Sequence, residues 1–168
     1  MKALILTYDM VDDSEMLYPI YRLLEEGIRT DVASFEKRRL RSKYHYDFNA
    51  DLLFEEVKVE DYAMLILPGG GAAEKVRQKM GALEITRYYM EKSLPVGAVC
   101  HGPQVLISAG VLRGRTATCY PGITDDLVNA GGIYVDREVV VDGNLVTSRR
   151  VEDLPYFMRE LVKLVKKN

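Results

Sequence analysis

Val96-Gly97-Ala98-Val99-Cys100-His101-Gly102-Pro103-Gln104 decides how the rest of the chain reads. Val96 to Val99 are small or β-branched and apolar, as in a parallel strand buried on both faces. Cysteine, histidine, glycine and proline follow, and from Gln104 to Ala109 a helix-compatible apolar pattern resumes. A nucleophile on a sharp strand-to-helix turn is lifted above its sheet, as at hydrolase elbows. The helix after it aims unpaired N–H groups at the side chain, favouring thiolate over thiol. The competing reading is a structural cysteine buried at a strand end, a common place for a free thiol.

Outward from this stretch, strands alternate with helices. Ala3 to Tyr8 and Ala63 to Leu67 are short continuous apolar runs and read as buried strands. Arg29 to Phe35 reads as another strand, and Arg115 to Cys119 as one more. After the turn Asp9 to Asp13, Ser14 is expected to cap a helix from Glu15 to Glu26, ended by Gly27. Met16, Ile20, Leu23 and Leu24 should face the sheet, and Pro19 falls inside the helix, where it removes a hydrogen bond. A bend that presents Glu15 toward the strand ends would account for that proline. Further helices are expected at 73–79, 82–93 and 123–130, the last ended by Gly131 and Gly132. A final helix over 153–166 carries the stripe Leu154, Phe157, Leu161 and Leu164, with Pro155 near its start. Val139 to Thr147 reads as a hairpin turning at Asp142-Gly143-Asn144, and 40–57 as an edge hairpin and loop. His45 there reads as a surface or packing residue.

Such alternation implies an α/β fold: a mostly parallel sheet, helices on both faces and a small edge hairpin. At 168 residues one domain over 1–168 is the simplest reading. A formal charge of -2 argues against general nucleic-acid binding. The run Lys37-Arg38-Arg39-Leu40-Arg41-Ser42-Lys43 is the local exception, read as a solvated hairpin or edge strand. No apolar run nears the ~20 residues of a membrane helix, and Met1 to Tyr8 lacks a signal-peptide pattern. Two cysteines cannot make a disulfide framework, and reduced thiols fit a cytosolic protein. No Cys, His and acid spacing suggests a metal site, and no cofactor is expected.

Ligands of open α/β sheets bind beyond the carboxyl ends of the strands. That rule gathers Asp9–Glu15, Gly69–Gly71, Cys100–His101 and Cys119–Tyr120 around one crevice. Gly70, in a glycine run after a buried strand, can turn sharply and expose N–H groups as an oxyanion donor. A phosphate loop is disfavoured, because Leu67-Pro68-Gly69-Gly70-Gly71-Ala72-Ala73-Glu74 lacks the Lys-Ser/Thr that follows one. Side chains of adjacent turn residues usually diverge, so a Cys100–His101 pair would need unusual geometry. If the ring cannot reach, the His101 N–H can still bind an oxyanion.

The segment from Ala98 to Arg115, followed by Tyr120-Pro121-Gly122-Ile123-Thr124-Asp125-Asp126, resembles the PfpI intracellular-protease family. That family lies within the glutamine-amidotransferase-like and Parkinson-associated deglycase-like superfamily, and the resemblance runs from Met1 to about Lys166. It implies a flavodoxin-like three-layer sandwich and places His101 in the catalytic set with Cys100. It implies that Glu15 lies beside the sulfur, where a dry crevice should raise its pKa. It implies that Glu74 completes a triad from a neighbouring subunit of a homo-oligomer (dimer, trimer or hexamer) and that Tyr120 lies near the crevice. Without it, Glu15 and Glu74 read as ordinary helix-start acids and Tyr120 as a strand end. Gly71, Val151 and Cys119 depart from the family pattern. Cys119, if on a strand beside Cys100, could resolve an oxidised sulfur.

The implied activity is a cysteine hydrolase acting on peptides or early glycation adducts of proteins. A cofactor-independent conversion of methylglyoxal to lactate is the related alternative, with Glu15 or His101 moving the proton. A redox-sensing stress protein or holdase chaperone is the alternative from another class.

Overall fold

The computed structural model describes residues 1–167; Asn168, the end of the expected domain, lies outside the described residues. The strands are β1 (Lys2–Leu6), β2 (Arg29–Ser34), β3 (Arg39–Arg41), β4 (Asp47–Asn49), β5 (Leu52–Leu53), β6 (Met64–Leu67), β7 (Val96–Val99), β8 (Thr116–Ala117), β9 (Ile133–Tyr134), β10 (Val139–Asp142) and β11 (Leu145–Ser148). The helices are α1 (Asp13–Glu25), α2 (Ala72–Val76), α3 (Met80–Glu91), α4 (Pro103–Ala109), α5 (Thr124–Asn129) and α6 (Leu154–Lys167). Seven strands form one sheet in the order β10-β11-β7-β6-β1-β2-β5. Its pairs are parallel except β10 with β11. This is the flavodoxin-like α/β sandwich.

Alternate residues of each strand feed two cores. Leu4, Leu6, Leu65, Leu67 and Ala98 meet α3, α4 and α5 through Ile85, Tyr89, Leu106 and Leu127. Ala3, Ile5, Met64, Ile66 and Val99 meet α1 and α6 through Leu23, Phe157, Met158 and Leu161. Burial on both faces is why the strands read as unbroken apolar runs. Each large side chain removed from water in this way contributes about 1.5–3 kcal/mol. A Cβ on Gly97 would lie 2.6 Å from the Phe157 ring and 2.7 Å from Leu161. Glycine there lets α6 lie directly on β7, one turn of chain below Cys100.

Several boundaries differ from the sequence reading for physical reasons. Asp12, not Ser14, caps α1, its carboxylate accepting the Ser14 N–H at 3.0 Å. Ser14 therefore falls in the first turn. Pro19 is inside α1 and buried, as expected, but Leu24 is 59% exposed. Met16, Pro19 and Leu23 make the buried stripe, and Leu24, rotated about 100° from Leu23, points to water. The β10–β11 turn holds only Gly143 and Asn144, because Asp142 pairs with Leu145.

β8 is two residues long and pairs with β9, outside the main sheet. Cys119 therefore does not end a strand beside β7, which corrects the expected geometry for a resolving thiol. The hairpin expected in 40–57 is β3–β4, and it too stands apart from the main sheet, whose edge is β5. It is fastened to the loop between β1 and α1. Met10 N–H donates to Arg41 C=O at 2.8 Å and Lys43 N–H to Val11 C=O at 2.9 Å. Asp13 accepts from Ser42 Oγ at 2.6 Å and Tyr44 N–H at 3.0 Å. His45 is exposed, in accord with its reading as a surface residue.

Candidate active site

Cys100 follows β7 with φ +58°, a left-handed conformation that costs a non-glycine residue about 1–2 kcal/mol. The surroundings over-determine it. Cys100 N–H donates to Ser148 C=O at 3.0 Å, and its C=O accepts from Tyr120 N–H at 2.9 Å. Gly102 N–H returns to Val99 C=O at 2.8 Å, closing the turn that launches α4. A Cβ on Gly102 would collide with the Leu67 carbonyl, so the turn is packed against the end of β6. The elbow read from the sequence is present, and its strain sits on the cysteine itself.

The left-handed turn supplies the unusual geometry that a Cys100–His101 pair was expected to need. His101 Nδ1 lies 3.3 Å from Cys100 Sγ. The imidazole stacks on Tyr120, with ring centroids 4.5 Å apart and planes at 26°. Burial, followed by the Lys43 charge, holds the imidazole pKa below its ordinary value, with Glu74 opposing. His101 is thus a neutral ring near neutral pH, able to take a proton.

Glu15 is 1% exposed in the first turn of α1 and accepts the Gly69 N–H at 2.6 Å. Burial pushes its pKa up to about 7, against the pull of the Gly69 N–H, with the Asp12 charge adding. Its carboxyl also meets the Cys100 sulfur. Burial, then the Glu15 charge, push the Cys100 thiol well above its usual range, while the N–H groups of His101 and Gly70 draw it down. The N–H groups at the elbow favour the thiolate, as expected, but burial and Glu15 outweigh them. Sulfur and carboxyl compete, and with the proton on Glu15 the repulsion is gone and the acid can donate to a thiolate.

Gly70 has φ +65°, and a Cβ there would meet the Met10 carbonyl and lie 2.5 Å from the Asp12 nitrogen. Glycine lets this loop press against the start of α1 with its N–H turned to the sulfur. Cys100, His101, Glu15, Gly70, Glu74 and Tyr120 line one cleft of about 410 Å³. All six residues singled out in the sequence are thus brought together. Glu74 is exposed on α2, and its side chain makes no hydrogen bond to His101 among the described residues. Cys119 is absent from the cleft lining; it is fully buried in the core under α3–α5, with Thr124 beside its sulfur. Among the described residues no cluster of three or more His, Cys, Asp or Glu could hold a metal.

The model of the DJ-1/PfpI family matches residues 1–164.
The chain belongs to the DJ-1/PfpI family.
Deglycase PfpI of Pyrococcus furiosus is 51% identical over 166 residues, covering 99% of this chain and 100% of that one. The putative cysteine protease YraA of Bacillus subtilis is 36% identical over 166 residues, covering 98% of each. The crystal structure of a two-domain protein from Anabaena variabilis, with DJ-1/ThiJ/PfpI-like and ferritin-like domains, superposes with a TM-score of 0.94 at 35% identity. It is matched over 96% of this chain and 47% of its own, so this chain spans about half of that protein.

Met10 and Asp12 fall in the segment expected at the crevice, but three further residues of the DJ-1/PfpI cleft escaped the sequence reading: Lys43, Gln104 and Ile123. Lys43 arrives from the β3–β4 hairpin, whose fold-back over the β1–α1 loop is a long-range event. Met10 carries φ +69°, which no local sequence signal announces for methionine.

Proposed function

We propose that this chain is a thiol hydrolase of the deglycase and peptidase type, with Cys100 as nucleophile. One observation carries the reading. The sulfur stands on a strained elbow with His101 Nδ1 at 3.3 Å and the Gly70 and His101 N–H groups turned to it. Glu15 supports the same assignment, because a carboxyl with a pKa of about 7 can hold or yield a proton near neutral pH.

Cys100 Sγ passes its proton to His101 Nδ1, and the sulfur attacks the substrate carbonyl carbon. The carbonyl oxygen becomes an oxyanion held by the Gly70 and His101 N–H groups, each such donor contributing a few kcal/mol in the transition state. His101 protonates the departing amine, and water then releases the acyl group and restores the thiol. For a methylglyoxal adduct on an amine, Glu15 or His101 must first move a proton from the amine-bearing carbon to its ketone neighbour, turning the adduct into a lactoyl amide; hydrolysis then adds one water and yields the free amine and lactate. Tyr120, stacked on His101, orients that ring and faces substrate. The names of the Pyrococcus and Bacillus relatives, a deglycase and a putative cysteine protease, support both substrate classes.

Glu74 is assigned to a site completed across a subunit contact of a homo-oligomer, because it is exposed at the cleft rim without a partner on His101. A cytoplasmic location is the matching setting, and no helix among the described residues is long and apolar enough to cross a membrane. The Cys119 sulfur lies in the opposite core, so an internal disulfide switch lacks its second thiol. The enzyme reading is preferred to the redox sensor because the His101 ring and the Gly70 and His101 N–H groups converge on the sulfur, which oxidation alone would not need.

The deciding experiment is a kinetic panel of a peptide, a methylglyoxal–lysine adduct and free methylglyoxal, with Cys100→Ala as control. Cysteine-dependent turnover of the peptide or the adduct supports the assignment. Turnover of free methylglyoxal alone transfers it to the glyoxalase reading, and turnover that survives Cys100→Ala removes it.

A further inference from the structure

The basic run Lys37–Lys43 leaves one cation unaccounted for. Lys37 pairs with Glu56 at 2.9 Å, and Arg38 with Asp9 and Glu36 at 2.6 Å each. Arg39 and Arg41 both pair with Asp47 at 2.8 Å. Lys43 has no carboxylate within ion-pair distance among the described residues, although Asp12, Glu15 and Glu74 line the same cleft. Asp12 spends its oxygen on the helix-capping Ser14 N–H, Glu15 spends its own on Gly69, and Glu74 sits on α2.

Lys43 is exposed, but its backbone is held in place. Its backbone N–H is bonded to Val11, and the residues on either side, Ser42 and Tyr44, are both bonded to Asp13. The ammonium lies 5.1 Å from the Tyr44 ring centroid. The hairpin thus fixes the root of this side chain against the segment that carries Glu15. Lys43 shares the cleft with Cys100, His101 and the hydroxyl-bearing Tyr120.

We propose that Lys43 is the anion-recognition residue of the cleft, selecting small substrates that carry a carboxylate near the reacting carbonyl. This rests on the reading of Cys100 as the attacking group and narrows its substrate class. A cleft of about 410 Å³ suits a small molecule or a single modified side chain. An ammonium in the same cleft as the reacting sulfur attracts the carboxylate and leaves the carbonyl to the Gly70 and His101 donors. The Lys43 pKa is raised, by Tyr44 first and then by Asp12 and Cys100, so the ammonium stays charged at neutral pH.

The test compares alkylation of Cys100 by iodoacetate and by iodoacetamide, read by peptide mass. Both reagents place a carbon on the sulfur and expel iodide, and they differ by one negative charge. Their rate ratio cancels any change in the ionised fraction of the thiol, so it reports recognition rather than acidity. Lys43→Ala should lower the iodoacetate/iodoacetamide ratio about five- to tenfold, Lys43→Glu should lower it further, and Lys43→Arg should keep it within about twofold. High salt should bring the wild-type ratio toward that of Lys43→Ala, an arm that needs no variant. Lys37→Ala should leave the ratio unchanged.

Ratios within about twofold across wild type, Lys43→Ala and Lys43→Glu, with no salt effect, would overturn the proposal. Turnover of methylglyoxal hemithioacetals on N-acetylcysteine and on its neutral amide keeps the two claims apart. If both are processed at Lys43-independent relative rates, the hydrolase stands and the subsite falls. If neither is processed while the alkylation ratio shifts as stated, the subsite stands and the deglycase assignment falls.

Discussion

Where β1 and β2 begin, Asp31 accepts from Lys2 and from Tyr62, both at 2.8 Å. Burial works against that carboxylate, but the two partners hold its pKa below the usual range. Where β7 begins, the Asn144 amide donates to Leu94 C=O at 2.7 Å and Arg115 brackets Asp142. Where the same strands end, the accounts do not balance. Cys100 is left-handed, Glu15 is buried with its pKa near 7, and the Thr7, Ser34 and Gln104 side-chain oxygens have no partner. The fourth such atom, Thr118 Oγ1, lies beside Thr147 near the end of β11. Unpartnered buried polar groups and strained backbone each cost free energy and cluster at functional sites. One rim of the sheet holds the molecule together, and the other is held in a conformation that stability alone would not select.

That contrast breaks first at Cys100. Cys100→Ala should cut turnover by about 10³-fold or more, while Cys100→Gly should be equally inactive yet melt higher by relieving the left-handed strain. A Cys100→Gly melting temperature at or below wild type would mean the strain is not there. Next comes Gly70→Ala, whose methyl is driven against Met10 and Asp12. It should lower kcat about 10²-fold by displacing an oxyanion donor, measured beside an unchanged β10–β11 hydrogen-exchange pattern.

Glu15→Gln sharpens the contrast through pH. An acid whose folded pKa is raised from 4.5 to about 7 binds its proton more tightly in the folded chain. Stability therefore falls as pH rises through that window. Glu15→Gln, which keeps an acceptor for Gly69, should match wild type near the bottom of the window. Above its top the variant should exceed wild type by up to about 3 kcal/mol, read by denaturant titration. At the opposite rim, Asp31→Asn should cost about 1–2 kcal/mol and leave turnover intact. The smallest effect belongs to Cys119→Ser: no loss of turnover, and no Cys100–Cys119 crosslink in wild type after mild peroxide.

The seven-stranded architecture was largely legible because its central strands are short unbroken apolar runs, and the Cys100 elbow because small residues flank it. The meeting of His101 with the sulfur was legible only through the family resemblance, since a positive φ on cysteine leaves no mark in composition. Arg115 to Cys119 reads as a full strand by residue type, yet only Thr116 and Ala117 find a partner strand, a choice made by tertiary packing. Asp12 displaced Ser14 as the cap because both can serve and only the loop geometry chooses. Lys43 was hidden inside a charge run whose other members are all neutralised locally.

The β3–β4 hairpin contributes no rung to the main ladder and meets the rim through a few bonds to the β1–α1 loop. Its packing ties are as few: Phe48 rests on the α1–α6 core and Leu40 is buried beneath the hairpin. A hairpin of different length or composition grafted between β2 and β5 with those two side chains kept would change which residue stands where Lys43 does while the central strands stay as they are.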